Sequence, residues 1–154
     1  MKRLTPISQA DARDLHGIVA VHSRAEDGEL RFRLVKSDGT EYVRTEAAPD
    51  GAWQDAHSHE NVQETYIVQT GWIGYAELND GDIAIRIYRE GDVFTAPSSV
   101  IHNIYMPKGA VIHTIKHGNV AKEIRIADAG FTKRTGLLTE TDVLRLDGKH
   151  PVRQ

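Results

Sequence analysis

An all-β fold, a sandwich or a barrel, follows from three observations on this 154-residue chain. Apolar residues alternate with period two, turn signals recur roughly every 8 to 12 residues, and a helical pattern is confined to one segment near the C-terminus. The first strand is expected over residues 18–22. In the next, residues 30–34, Leu30, Phe32 and Leu34 alternate with Arg31 and Arg33, the signature of a half-buried strand. Asp38-Gly39 separates it from a partner at 41–44, a turn chemistry that favours a hairpin. Strands follow at 65–69 and 72–78. Asn79-Asp80-Gly81-Asp82 then turns the chain into 83–88, where Ile83, Ile85 and Ile87 alternate with Ala84, Arg86 and Tyr88. The series closes with 93–96, 101–105, 110–117 and 122–126. Thr139 with Asp142 three residues on resembles a capped start for a helix at 140–146, with Val143, Leu144 and Leu146 as its apolar side. No repeat or linker divides the chain, so one domain over 1–154 is expected, with terminal arms at 1–24 and 128–154.

Composition narrows the chemistry. Nineteen basic residues against twenty-two acidic ones give a net charge of −3, and the basic residues are scattered, which disfavours nucleic acid or an anionic membrane as the main partner. The absence of cysteine excludes disulfides, thiolate catalysis and Cys-type zinc or iron–sulfur sites. Met1-Lys2-Arg3 is basic, but Pro6, Gln9, Asp11, Arg13 and Asp14 interrupt the apolar run that a signal peptide requires. The expectation is a soluble, cytoplasmic protein. Asn79-Asp80-Gly81-Asp82 lacks the ligand series of a calcium loop and reads as a turn.

Three of the eight histidines carry the most information. His57-Ser58-His59 places two imidazoles on one face of a strand, Glu64 follows five residues on at the next apolar strand, and His102 lies far along the chain in another. Imidazole and carboxylate donors suit a divalent first-row metal and disfavour magnesium and calcium; iron, manganese, cobalt, nickel, copper and zinc all remain open.

The spacing Gly51, five residues, His57-x-His59, four residues, Glu64, six residues, Gly71 resembles the first motif of the cupin superfamily. The second motif is matched in part by Gly91, five residues, Pro97, one residue, Ser99, two residues, His102, three residues, Met106, with Ser99 and Met106 where the family usually has glycine and asparagine. These motifs cover residues 51–106. The resemblance implies a single cupin-type barrel (double-stranded β-helix, or jelly roll) with N-terminal strands and a short C-terminal helical arm. It also implies one divalent transition metal per chain on His57, His59, Glu64 and His102.

Residues two apart share a strand face, so Tyr66 follows Glu64 inward, and Ile104 and Met106 follow His102 towards a substrate. In 110–117 two faces compete. One carries His113 and His117; there His113 would be the proton-transfer residue, with Tyr66 as the alternative, because an imidazole titrates near neutrality, and His117 would line the same wall against the substrate. The other carries Lys116, which would meet a phosphate or carboxylate of the substrate. Trp53, Trp72 and Tyr75 read as packing residues, and His16, His22 and His150 have no evident partner.

Glu64-x-Tyr66 after HxH looks like the cupin sugar-phosphate isomerases, which implies an isomerase or epimerase acting on a sugar, sugar phosphate or other sugar derivative. An iron- or nickel-dependent dioxygenase and a non-catalytic ligand-binding module are the competing readings. Apolar positions in the arms, among them Ile18, Val19, Val21, Leu137, Leu138 and Leu144, point to a homodimer that covers a sheet edge.

Overall fold

The structure, a computed structural model, describes residues 5–118 and 122–149. Met1, Lys2, Arg3 and His150, together with the outermost parts of both expected arms, lie outside these residues. Two antiparallel sheets face each other, as in a jelly roll. The first has the order β1 (Ile18–Arg24), β2 (Leu30–Lys36), β3 (Glu41–Glu46), β11 (Val111–Gly118), β6 (Val62–Thr70), β9 (Val93–Ala96). The second runs β12 (Arg125–Ala127), β5 (His57–His59), β10 (His102–Met106), β7 (Trp72–Asn79), β8 (Asp82–Arg89), and β4 (Ala52–Trp53) also pairs with β10. Every expected strand is present with its ends shifted by a few residues. The segment at 122–126 forms only the three residues of β12.

The core lies between the sheets. Tyr66, Val68 and Ile112 of the first sheet meet Ile73, Tyr75, Ile104 and Met106 of the second, all buried. A second apolar layer covers the opposite face of the second sheet, where Phe131 of α2 (Ala129–Gly136) and Val143 of α3 (Glu140–Leu146) pack on Ala76, Ile85, Ile87 and Tyr105. This sheet is therefore covered on both faces, and β10 is buried at all five positions. Gly74 is where α3 docks: a Cβ there would come within 2.5 Å of Val143 Cγ1.

The helices begin where side-chain oxygens satisfy free backbone N–H groups. Ser8 caps α1 (Gln9–His16), Asp128 caps α2, and Thr139 and Asp142 cap α3 reciprocally. Only α3 was expected. The C-terminal arm's apolar residues work largely within the chain: Leu138 and Leu146 pack on the second sheet, and Leu137 and Leu144 stay exposed.

Register fixes which side chains face inward. Arg33, Val43, Thr114, Tyr66 and Phe94 form one cross-strand row on the inner face, and Val35, Glu41, Lys116, Glu64 and Ala96 form another. On the outer face His22, Phe32, Arg44, His113, Ile67 and Val93 are aligned. Leu30, Phe32 and Leu34 of β2 thus point away from the sheet interior, and Arg31 and Arg33 point in with Val35, because beyond the apolar core this inner face lines a polar cavity.

Candidate metal centre

His57 and His59 sit on β5, which pairs with β10 so that His57 and His102 are direct cross-strand neighbours. Glu64 comes from β6 of the facing sheet. The loop before β10 is pinned by the Ser99 N–H, which donates to the His59 carbonyl at 2.7 Å, with Ser99 in the left-handed region at φ 61°. Gly51 holds a similar tight place at φ 74°, where a Cβ would meet Met106 O and Lys108 N at 3.0 Å.

One donor atom from each of His57, His59, Glu64 and His102 lies within 4.8 Å of the other three. His59, Glu64 and His102 are buried and His57 is half-buried. His57 Nδ1 lies 2.7 Å from the Asp55 carbonyl and His102 Nδ1 lies 3.0 Å from that of Val100. A carbonyl only accepts, so each Nδ1 carries the proton and each Nε2 offers a lone pair to the centre. His59 is oriented by a carboxylate instead, its Nδ1 being 2.5 Å from Glu123 Oε1.

The Nε2 atoms of His59 and His102 lie 3.1 and 3.3 Å from one oxygen, Glu64 Oε2. Neither has a hydrogen-bond partner among the described residues. Buried lone pairs that converge without donors are what a cation neutralises, so the donor set fits a divalent transition metal.

The electrostatics keep these groups ready to ligate. Burial above all pushes the His57 imidazole down to about 3, so it is neutral at physiological pH. Burial alone would raise the Glu64 carboxyl. Hydrogen bonds from His102 and His59 in their Nε2–H forms, together with one from Tyr66, would outweigh burial and hold it well below the usual carboxylate range. The Tyr66 contribution persists whichever tautomer the rings adopt, since its hydroxyl donates to Glu64 Oε2 at 2.5 Å. Burial first and the Glu64 charge second keep that phenol protonated far above its ordinary range.

A cavity of about 250 Å³ opens beside the cluster and is lined by His57, His59, Glu64 and Tyr66 together with Arg31, Arg33, Glu41, Gln54, Asp55, Lys116, Glu123 and Arg125. Tyr66 of β6 lines this cavity, and of the two faces left open on β11 it is the one carrying Lys116, with Ile112 and Thr114, that lines it. The alternative face is corrected by register. His113 is on the outside of the sheet, bonded to the Tyr42 hydroxyl and to Gln69 Oε1, each at 2.7 Å. His117 is exposed and bonded to Thr65 Oγ1. Ile104 and Met106 point inward, yet into the apolar core and not onto the cavity wall. Trp53 and Trp72 pack against the second apolar layer, and His22 contacts the Phe32 ring.

Sequence reasoning missed Arg31, Arg33, Gln54, Asp55, Glu123 and Arg125. The alternation of arginine with apolar residues in β2 was visible, but it does not say which face is inward. Glu123 and Arg125 reach the cavity through the pairing of β12 with β5, a contact between segments about sixty residues apart that periodicity does not reveal.

No protein-family model matches the sequence, and no curated protein matches it. Solved structures do. A cupin-like protein from Thermotoga maritima is 22% identical with a TM-score of 0.56, the match covering 84% of this chain and 90% of that one. A protein with a double-stranded β-helix domain from Klebsiella pneumoniae is 17% identical with a TM-score of 0.55, over 69% of this chain and 90% of that one. Oxalate decarboxylase from Bacillus subtilis, described for its Mn(II) centres, is 16% identical with a TM-score of 0.58; 97% of this chain covers 42% of it.

Proposed function

The chain has the cupin fold, and we propose that it uses it as a metal-dependent enzyme on a small polar organic substrate, best read as an isomerase or epimerase of a sugar derivative. The observation that carries the metal is the convergence of three imidazoles and Glu64, with two buried Nε2 atoms that have no hydrogen-bond partner among the described residues. The Mn(II) centres of the Bacillus subtilis neighbour are consistent with it. His57, His59, Glu64 and His102 would hold the ion, which when bound would polarise adjacent hydroxyl and carbonyl oxygens as a Lewis acid.

The chain's own residues supply orientation and proton transfer. Tyr66 keeps its proton and can only donate, so it steadies Glu64 and is an acid at most. Lys116 reaches Glu123 Oε1 and Oε2 at 3.3 Å and Glu41 Oε2 at 3.5 Å, which puts an ammonium between two carboxylates on the cavity wall. That group replaces His113 as the candidate for moving a proton between neighbouring carbons.

A second reading has a specific observation behind it. With His113 outside, the cavity's cationic acid and its carboxylate bases are tied into ion pairs, which favours chemistry that needs no strong base, such as dioxygen-dependent oxidation. One experiment separates the two. Metal-loaded protein is incubated anaerobically in D₂O with a panel of sugars, sugar acids and sugar phosphates, and the C–H signals are followed by NMR. Exchange of a carbon-bound hydrogen next to a carbonyl is the expected result. Absence of exchange across the panel, with oxygen uptake in air, overturns the isomerase reading in favour of oxidation.

A further inference from the structure

Four cationic side chains line the cavity, and among the described residues Arg33 is the one with a buried nitrogen that has no acceptor. Lys116 is held by Glu41 and Glu123. Arg31 Nε donates to Glu29 Oε1 at 2.6 Å, and Glu29 Oε2 also accepts from Gln54 Nε2 at 2.9 Å, so the head of Arg31 is fixed from behind. Arg125 Nη2 lies 3.1 Å from His57 Nδ1, whose proton goes to the Asp55 carbonyl, so the ring does not accept from it and the two groups are only in contact. Arg33 differs. Its nearest ion-pair partner is Glu41 Oε1 at 3.8 Å, beyond hydrogen-bond reach, and its buried Nε has no acceptor among the described residues.

Arg33 is not placed there by packing. It occupies the inner row with Val43, Thr114 and Tyr66, one row from the Glu41–Lys116–Glu64 row. Its side chain is 35% exposed, so the guanidinium is wetted by the cavity. A guanidinium presents five N–H donors in a planar fork that matches two oxygens of a carboxylate or phosphate.

We propose that Arg33, assisted by Arg31 two residues before it, binds an oxyanion of the substrate, a carboxylate or a phosphate, so that the ligands of this cavity are small organic anions rather than neutral polyols. Charge supports the same class. Arg31, Arg33, Lys116 and Arg125 are matched in number by Glu41, Asp55, Glu64 and Glu123, and Glu29 behind Arg31 adds one more carboxylate, so a bound divalent ion leaves an excess of one positive charge that an anionic ligand offsets. The proposal deepens the metal-dependent reading and rests on it for this last step. The arginine contact itself stands on the geometry alone.

The test reads the arginine directly. In ¹⁵N-labelled protein the Nε–Hε resonances of Arg31 and Arg33 are followed during titration with acetate and, separately, inorganic phosphate, at ionic strength held constant with chloride. Metal-loaded and chelator-stripped wild type are compared with Arg33→Gln and Arg33→Lys. The expected result is a saturable shift of the Arg33 signal with at least one anion, and its dissociation constant identifies carboxylate or phosphate as the preferred group. Metal loading tightens that binding tenfold or more. Arg33→Gln weakens it by at least tenfold, and Arg33→Lys, which keeps the charge without the fork, falls between; dispersed backbone spectra certify that the variants are folded. No saturable shift beyond that of chloride in either form overturns the proposal. So does binding in the loaded protein that Arg33→Gln leaves intact, because the anion then binds the metal alone. If no metal loads, the metal-dependent reading fails by itself, and the shift in stripped wild type still decides the arginine's role.

Discussion

Replacing Tyr66 with phenylalanine removes one oxygen and little else. The ring keeps its place between Phe94 and Tyr75, with centroids 5.1 and 6.3 Å away, so no cavity larger than a hydroxyl opens. What is lost is a bond from a buried phenol to a buried carboxylate at 2.5 Å. A hydrogen bond to a charged group contributes about 1.5–3 kcal/mol, and at about 1.4 kcal/mol per pKa unit its loss lets the Glu64 carboxyl rise by about one to two units. The folded-state value of Glu64 lies below its ordinary one. Its stabilisation is therefore present above the unfolded value of about 4.3 and is lost as the pH falls through the folded one. Metal-free Tyr66→Phe should then be about 1.5–3 kcal/mol less stable than wild type in urea at pH 7, and the gap should persist through pH 4, narrowing only as the pH falls through the variant's own folded-state value, which still lies below the ordinary carboxylate range. Because the same bond orients a ligand, metal affinity measured against a chromogenic chelator should fall about 10- to 100-fold. Unfolding curves that coincide at pH 7, with affinities within twofold, would refute the role assigned to this contact.

Three further outcomes follow from the same geometry. Glu123→Gln releases the carboxylate that orients His59 and should weaken metal binding about 10- to 100-fold in the same chelator assay, while far-UV circular dichroism stays unchanged. His113→Ala should leave metal content and turnover intact and reduce stability by about 1–2 kcal/mol, since it loses its bonds to Tyr42 and Gln69 on the outer face; a hundredfold fall in turnover would return it to the proton-transfer role. We also propose a homodimer built on the N-terminal strands, because Val19, Val21 and Leu34 are 42%, 48% and 44% exposed on or beside the edge strand β1, and light scattering should give twice the mass of a 17.2 kDa chain.

Much of this arrangement was legible in the sequence, and the part that was not has a common cause. Period two located the strands, and the HxH, Glu64 and His102 spacing picked out four residues that the fold does bring together: parity is local and sets the HxH pair, whereas Glu64 on the facing sheet and the distant His102 were legible only through the resemblance of the motif spacing. Even the departure at Ser99 was informative: the usual glycine position proves to need a left-handed backbone. Parity alone does not say which face is inward. His113 and Lys116 alternate on the same strand, and only the pairing of β11 with β3 and β6 decides between them. The Leu30–Leu34 alternation misleads for a physical reason, since a cavity that needs charge turns the arginines in and leaves apolar side chains on the outer face. Helices α1 and α2 were missed because each is one eight-residue segment with little apolar periodicity, started by a single cap.

Metal content tests the central claim most directly. Protein expressed and purified without added metal, and a His57→Ala, His102→Ala double variant prepared in parallel, are analysed for all first-row transition metals by mass spectrometry. The coordination requires about one divalent ion per chain in the wild type and none in the double variant. Equal metal in the two proteins, or a wild type that carries none, would contradict it.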